Sequence, residues 1–205
     1  MAPERIRISL CFRHDDRRGG AGHLVHGCRG RGFVKMASDM PILSIVTFLP
    51  MVGAFLILLL VRGTPQDVAN NVRWSALWTS LITFAISILI WTGFDNSTHA
   101  FQFVEKAEWM PEYKINYHMG VDGISVFFVL LSTLLTPICI LASWNAIQEK
   151  VKEYMIAFLV LETMMVGMFC ALDFVAFYIF FEAVLIPMFL IIGVWGGPRR
   201  VTRHQ

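Results

Sequence analysis

The chain has 205 residues, 56% hydrophobic and only 16% charged, with a formal net charge of +2. Soluble domains carry roughly 25% charged residues, so this balance excludes a soluble enzyme, a nucleic-acid binder and a disordered chain. Four cysteines are too few for a disulfide scaffold.

Residues 1–39 stand apart from the rest. They hold 8 Lys/Arg and 4 Asp/Glu, whereas residues 40–205 hold 9 and 11. Gly19, Gly20, Gly22, Gly27, Gly30 and Gly32 interrupt this head, and no hydrophobic period runs through it. It reads as a disordered or non-native extension, with Met40 or Met36 as the expected start. Asp15, Asp16 and the scarcity of serine argue against a transit peptide. Cys11, His14, His26 and Cys28 form a loose set of metal-ligand types. The second pair is too close for a zinc site, and no metal is expected.

Five apolar runs follow, each near the 20 residues that a spanning helix needs. They are Pro41–Val61, Trp74–Thr92, Ile124–Trp144 with Pro137, Tyr154–Leu172 with Glu162, and Phe174–Trp195 with Glu182 and Pro187. Any one could be a buried core helix, but five together leave too few polar residues to clothe a soluble exterior. The fold class is therefore all-α, a polytopic membrane protein with the lipid bilayer as a partner. Trp74, Trp78, Trp91, Trp144, Tyr154 and Trp195 sit near the run ends, where interfacial aromatic belts form. The first run is too long for a signal-peptide core and is read as a retained span.

Charge in the short loops sets the orientation. The side holding Met40 has only Lys106 and Lys114, against seven basic residues opposite: Arg62, Arg73, Lys150, Lys152, Arg199, Arg200 and Arg203. The basic side is expected in the cytoplasm and Met40 outside. The basic head opposes this, since an odd number of spans cannot satisfy both.

Segment 93–123 carries Asp95, Glu105, Glu108, Glu112 and Asp122. It has room for a small hairpin or cap, and its acids read as solvated surface. Asp122 suits a helix start, where a carboxylate caps free N–H groups. Cys139 and Cys170 lie inside apolar runs and read as buried small hydrophobes.

Two acids hold the chemistry. Only Asp173 separates the last two runs, so they form a tight antiparallel hairpin. Glu162 lies 11 residues before that link and Glu182 lies 9 after it, roughly 16 and 14 Å from one membrane face. An ionised acid at such depth costs about 2.5–3.5 kcal/mol on insertion scales, and such groups mark proton relays, wet cavities or ion pairs. No Lys, Arg or His lies inside the five runs, so any balancing cation must come from elsewhere. Glu162 has a plainer reading as a protonated acid bonded to a neighbouring helix. Glu182 has Pro187 five residues on, which displaces the Ala183 carbonyl beside it and leaves a polar, bendable spot.

Gly120-Val121-Asp122-Gly123-Ile124-Ser125 and Phe181-Glu182-Ala183-Val184-Leu185-Ile186-Pro187-Met188, running on to Trp195-Gly196-Gly197, resemble the chain M (chain 4) family of proton-pumping NADH–quinone oxidoreductase, respiratory complex I. The resemblance covers roughly residues 40–201. It implies a 14-helix antiporter-like fold, of which these spans are the N-terminal part, placed in a bacterial cell membrane or the mitochondrial inner membrane. It implies that Glu182 transfers protons, balanced by a lysine on a seventh helix, and it carries Glu162 over only weakly. It implies no cofactor on this chain, with NADH, FMN, iron–sulfur clusters and quinone on other subunits. The implied partners are other membrane-arm subunits, above all neighbouring antiporter-like chains, and no nucleic acid. Thr202-Arg203-His204-Gln205 departs from the family pattern. A frameshift or truncation is expected there, so that this sequence alone does not complete a proton path. Two other readings of the residues remain, a subunit of a multi-subunit cation/proton antiporter and a truncated remnant or membrane scaffold.

Overall fold

A computed structural model describes residues 41–60, 65–95, 98, 100–110 and 115–196. The expectations for residues 1–39 and 202–205, the Cys11–Cys28 set among them, fall outside the described residues.

Among the described residues five helices carry the fold: α1 Ile42–Leu60, α2 Pro65–Gly93, α3 Gly123–Ala142, α4 Val151–Cys170 and α5 Phe174–Trp195. All five are long and apolar enough to cross a membrane. Four match the apolar runs to within a few residues, and α5 matches its run residue for residue. The second differs, because α2 begins nine residues before Trp74. Pro65 at its first position pre-sets the helical φ, and Asp67 favours the free N–H groups of the first turn. Apolarity marks only the part of a helix that meets lipid. This one reaches about 44 Å, beyond a hydrocarbon core of about 30 Å.

Segment 93–123 forms a β-hairpin, β1 Gln102–Met110 paired antiparallel with β2 Ile115–Val121. Phe103, Met119 and Val121 turn inward and are buried, joining Leu43, Val126 and Val166 in one apolar cluster. The hairpin also holds the α4–α5 corner. Leu172 N–H donates to the His118 carbonyl at 2.9 Å, and Met119 bridges to Ala171. A Cβ on Gly120 would lie 2.6 Å from a Leu172 methyl, so a larger residue there would push the Leu172 side chain aside. Asp173, the link between the last two spans, caps α5 by accepting from Val175 N–H at 2.8 Å.

α4 is the central helix and packs against all four others, whereas α5 packs chiefly on α4. Between α2 and α3 the buried hydroxyls of Ser87 and Thr133 meet at 2.8 Å. Most buried hydroxyls nearby donate back to their own helix, as Thr83 does to Thr79 and Thr136 to Ser132. Small polar residues of this kind let helices pack closely in lipid.

The face opposite the hairpin carries Arg73, Lys150 and Lys152. Arg73 donates to the Ile147 carbonyl (2.8 Å) and stacks on Trp144. Lys152 donates to the Leu58 carbonyl at 3.0 Å, closing the end of α1. Trp195 Nε1 donates to the Glu149 carbonyl at 2.9 Å. Among the described residues the bases thus gather on this face and Lys106 lies on the other, in the asymmetry expected from the loops.

Asp122 caps α3 as expected, its Oδ1 accepting from Ser125 N–H at 2.7 Å. That backbone hydrogen bond holds its carboxyl below the usual carboxylate range. A lowered folded-state value stabilises at pH above the unfolded value, and the gain is lost as pH falls through the folded one. Asp122→Ala should lower stability by about 1 kcal/mol, read as a lower thermal midpoint in detergent. Asp122→Asn should keep most of it and remove the acid-side loss.

Candidate functional site

The two acids sit on adjoining helices, and packing gives them different surroundings. α4 and α5 meet where Gly167 accepts the ring of Phe180; a Cβ on Gly167 would lie 2.5 Å from Phe180 Cε1. Glu162 lies eight residues before the end of α4 at Cys170, and Glu182 lies eight after the start of α5 at Phe174, each about 12 Å along its helix at 1.5 Å per residue. The helix bounds thus keep the two acids at nearly equal depth, as the spacing in the sequence expects.

Their directions differ. α5 turns Ala176, Phe180, Ala183, Pro187 and Ile191 inward; Ala176 and Pro187 are buried and the others half-buried. This is the 3.6-residue stripe of a helix packed on one side. Glu182 follows Phe180 by two residues, about 200° around the axis, and so projects from the far side of α5. It is exposed in the described chain, with Tyr178 one turn earlier on the same helix. α5 runs unbroken through Pro187.

Glu162 is the reverse case. It is 1% exposed, among the largest fully buried side chains of the core, with Leu159, Thr163 and Val166. Neither carboxyl oxygen has a hydrogen-bond partner among the described residues. A buried polar group without a partner is costly, and such groups cluster where water, an ion or a proton is handled. The fold therefore encloses one acid and presents the other outward, and the two do not meet within the bundle. Cys170 is buried as expected, while Cys139 is only half-buried.

Sequence reading missed a third carboxylate. Glu105 was placed among solvated surface acids, but the hairpin carries it onto the start of α1. Its carboxylate accepts from Leu43 N–H (2.7 Å) and Ser44 N–H (3.1 Å), and from the Ser44 hydroxyl. The Tyr117 hydroxyl lies 2.9 Å from Ser44 Oγ. The Ser44 proton points to Glu105, so Tyr117 donates to Ser44. Burial pushes the Tyr117 phenol up, with the Ser44 hydrogen bond opposing. No local pattern reveals this cluster, because Glu105 and Ser44 are 61 residues apart. Among the described residues no three His, Cys, Asp or Glu side chains group as a metal site.

Residues 47–172 match the family model described as NADH-ubiquinone oxidoreductase chain 4, amino terminus. The NADH-ubiquinone oxidoreductase chain 4 of Marchantia polymorpha is 49% identical over 158 residues, covering 77% of this chain and 31% of the relative. The NADH-quinone oxidoreductase subunit M of Rhodobacter capsulatus is 49% identical over 160 residues, covering 78% and 31%. A chain in the solved structure of respiratory complex I from Thermus thermophilus with bound NADH superposes with a TM-score of 0.62 at 25% identity. That match covers 78% of this chain and 30% of the other. The chain thus spans about a third of the length of the curated relatives it matches.

Proposed function

The chain belongs to the family of NADH-ubiquinone oxidoreductase chain 4, amino terminus, and on that premise we propose that it serves as a proton-translocating part of the membrane arm of NADH–quinone oxidoreductase. Its partners are the other membrane-arm subunits, and its membrane is a bacterial cell membrane or the mitochondrial inner membrane. Electron transfer from NADH through flavin and iron–sulfur clusters to quinone takes place on other subunits. Here the chemistry is proton movement by carboxyl groups in a low-dielectric bundle.

The observation that carries this reading is the enclosed acid. Glu162 stands in the core of α4 with both oxygens free of protein partners among the described residues. A carboxyl held so can take a proton, hold it out of contact with bulk water and give it back when the field around it changes. Glu182, on the open side of α5, is the principal transfer residue, and its balancing cation comes from a segment docked against that side.

The test is NADH-driven proton translocation in inverted membrane vesicles of the assembled complex. Glu162→Gln keeps shape and hydrogen-bonding capacity and removes the exchangeable proton. It should lower the initial rate severalfold, less than Glu182→Gln does, while NADH oxidation by an artificial acceptor stays unchanged. Unchanged translocation would remove Glu162 from the reading. Sodium-dependent proton flux without NADH would instead favour cation/proton exchange.

A further inference from the structure

Among the described residues, Glu162 does not hold all the buried oxygens that lack protein partners. Among the described residues the Thr47 hydroxyl is also fully buried and unpartnered. Thr47 belongs to α1, which packs closely on α4.

Two markers fix how these helices lie. α1 starts at the hairpin, with its first N–H groups on Glu105, and α4 ends there, its following turn bonded to His118. They are therefore antiparallel. At the far end Lys152 of α4 reaches the Leu58 carbonyl of α1. Midway, Phe48, Met51, Val52, Phe55 and Leu58 share one groove with Ile156 and Val160. Counting eleven residues back from Leu58 and eleven on from Lys152 brings Thr47 level with Thr163, beside Glu162. By this count the three buried oxygens without partners lie near one level on two packed helices.

Thr47 is also three residues beyond Ser44. That is a rise of about 4.5 Å and a turn of about 300°, so the two hydroxyls lie on one side of α1. Ser44 Oγ already touches the Glu105 carboxylate and the Tyr117 hydroxyl, at the edge of the hairpin face. Its donor proton and one lone pair are engaged, leaving a second lone pair for a water. Two hydrogen bonds of about 2.8 Å span the step from Ser44 to Thr47 through one water. Helix axes in contact lie about 8–10 Å apart, a step from Thr47 to Glu162 that one or two ordered waters would span.

We infer that Glu105, Ser44 and Thr47 form a proton path along the inner side of α1, joining the hairpin face to Glu162. It rests on the proposed proton-transfer role of Glu162 and adds the route. One proton leaves the Glu162 carboxyl for the adjoining water, and a carboxylate remains. Each water and hydroxyl along the row accepts a proton on oxygen and releases its own to the next. The last proton passes to the Glu105 carboxylate and from it to bulk water, so the relay groups end unchanged. Reprotonation of Glu162 from the same face is the reverse sequence. Tyr117 donates to Ser44 and holds the row in register.

The test uses the assembled complex in inverted vesicles. Thr47→Val keeps the volume and removes the hydroxyl. The initial rate of NADH-driven proton translocation should fall by about fivefold, the factor for one lost hydrogen bond, with NADH oxidation by an artificial acceptor unchanged. Thr47→Ser should restore translocation. The infrared carboxyl band that Glu162→Gln abolishes should shift in Thr47→Val and return in Thr47→Ser. If Thr47→Val does not assemble, Ser44→Ala carries the same expectation for the rate. If Glu162→Gln lowers translocation while Thr47→Val and Ser44→Ala leave it and the band unchanged, the path is overturned and Glu162 stands. If Glu162→Gln itself changes nothing, the underlying reading fails first.

Discussion

Glu182→Gln in the assembled complex should lower NADH-driven proton translocation by about tenfold or more, with NADH oxidation by an artificial acceptor left intact. The magnitude follows from what a positioned acid–base group contributes, commonly two or more orders of magnitude in a proton-transfer step. The change is small in shape and complete in chemistry, since an amide neither stores nor releases a proton at this site. Glu182 sits on the side of α5 turned away from α4 and is exposed in the described chain. Glu162, on the far side of the α4–α5 contact, cannot stand in for it. The variant is not expected to unfold the bundle, because the packed stripe of α5 does not include position 182. The measurement is acidification of inverted vesicles with the amount of assembled complex quantified. Full translocation by Glu182→Gln would remove this residue from the mechanism and leave Glu162 as the carboxyl to be explained.

Gly167→Leu should prevent stable assembly. A Cβ alone at position 167 would lie 2.5, 2.6 and 2.8 Å from three atoms of the Phe180 ring, and leucine adds three more carbons. Overpacking of this kind commonly costs about 1–3 kcal/mol and more where nothing can yield. α5 has little with which to absorb it, because it packs chiefly on α4. Separating the two helices would also pull on the corner held by His118 and Met119 of the hairpin. The expected result is loss of the subunit from the membrane complex. Gly167→Ala should be milder, and Phe180→Ala in the same chain should recover assembly by removing the clashing ring. Normal assembly and thermal stability of Gly167→Leu would show that this contact does not fix the α4–α5 pair.

Much of this architecture is legible along the chain because a membrane span is a one-dimensional signal. Length and apolarity suffice to place α1, α3, α4 and α5, and charge in the short loops orders the two faces. The capping role of Asp122 is equally local, since its partner lies three residues away. α2 shows where the signal stops. Its first turns are polar, so apolarity passes over them, although Pro65 and Asp67 are themselves helix-start residues.

The sequence by itself determined the number of spans, the basic and acidic faces, and the presence of two carboxyl groups deep in apolar helices with no cation beside them. Tertiary structure alone decided which acid is enclosed, because burial is set by rotation about a helix axis and not by depth along it. Phe180 settles against Gly167, which sends Glu182 outward, and the packing of the other helices around central α4 closes Glu162 in. It also decided that Glu105 caps α1. That relation joins residues 61 positions apart, and only the folded chain brings them within reach of a hydrogen bond.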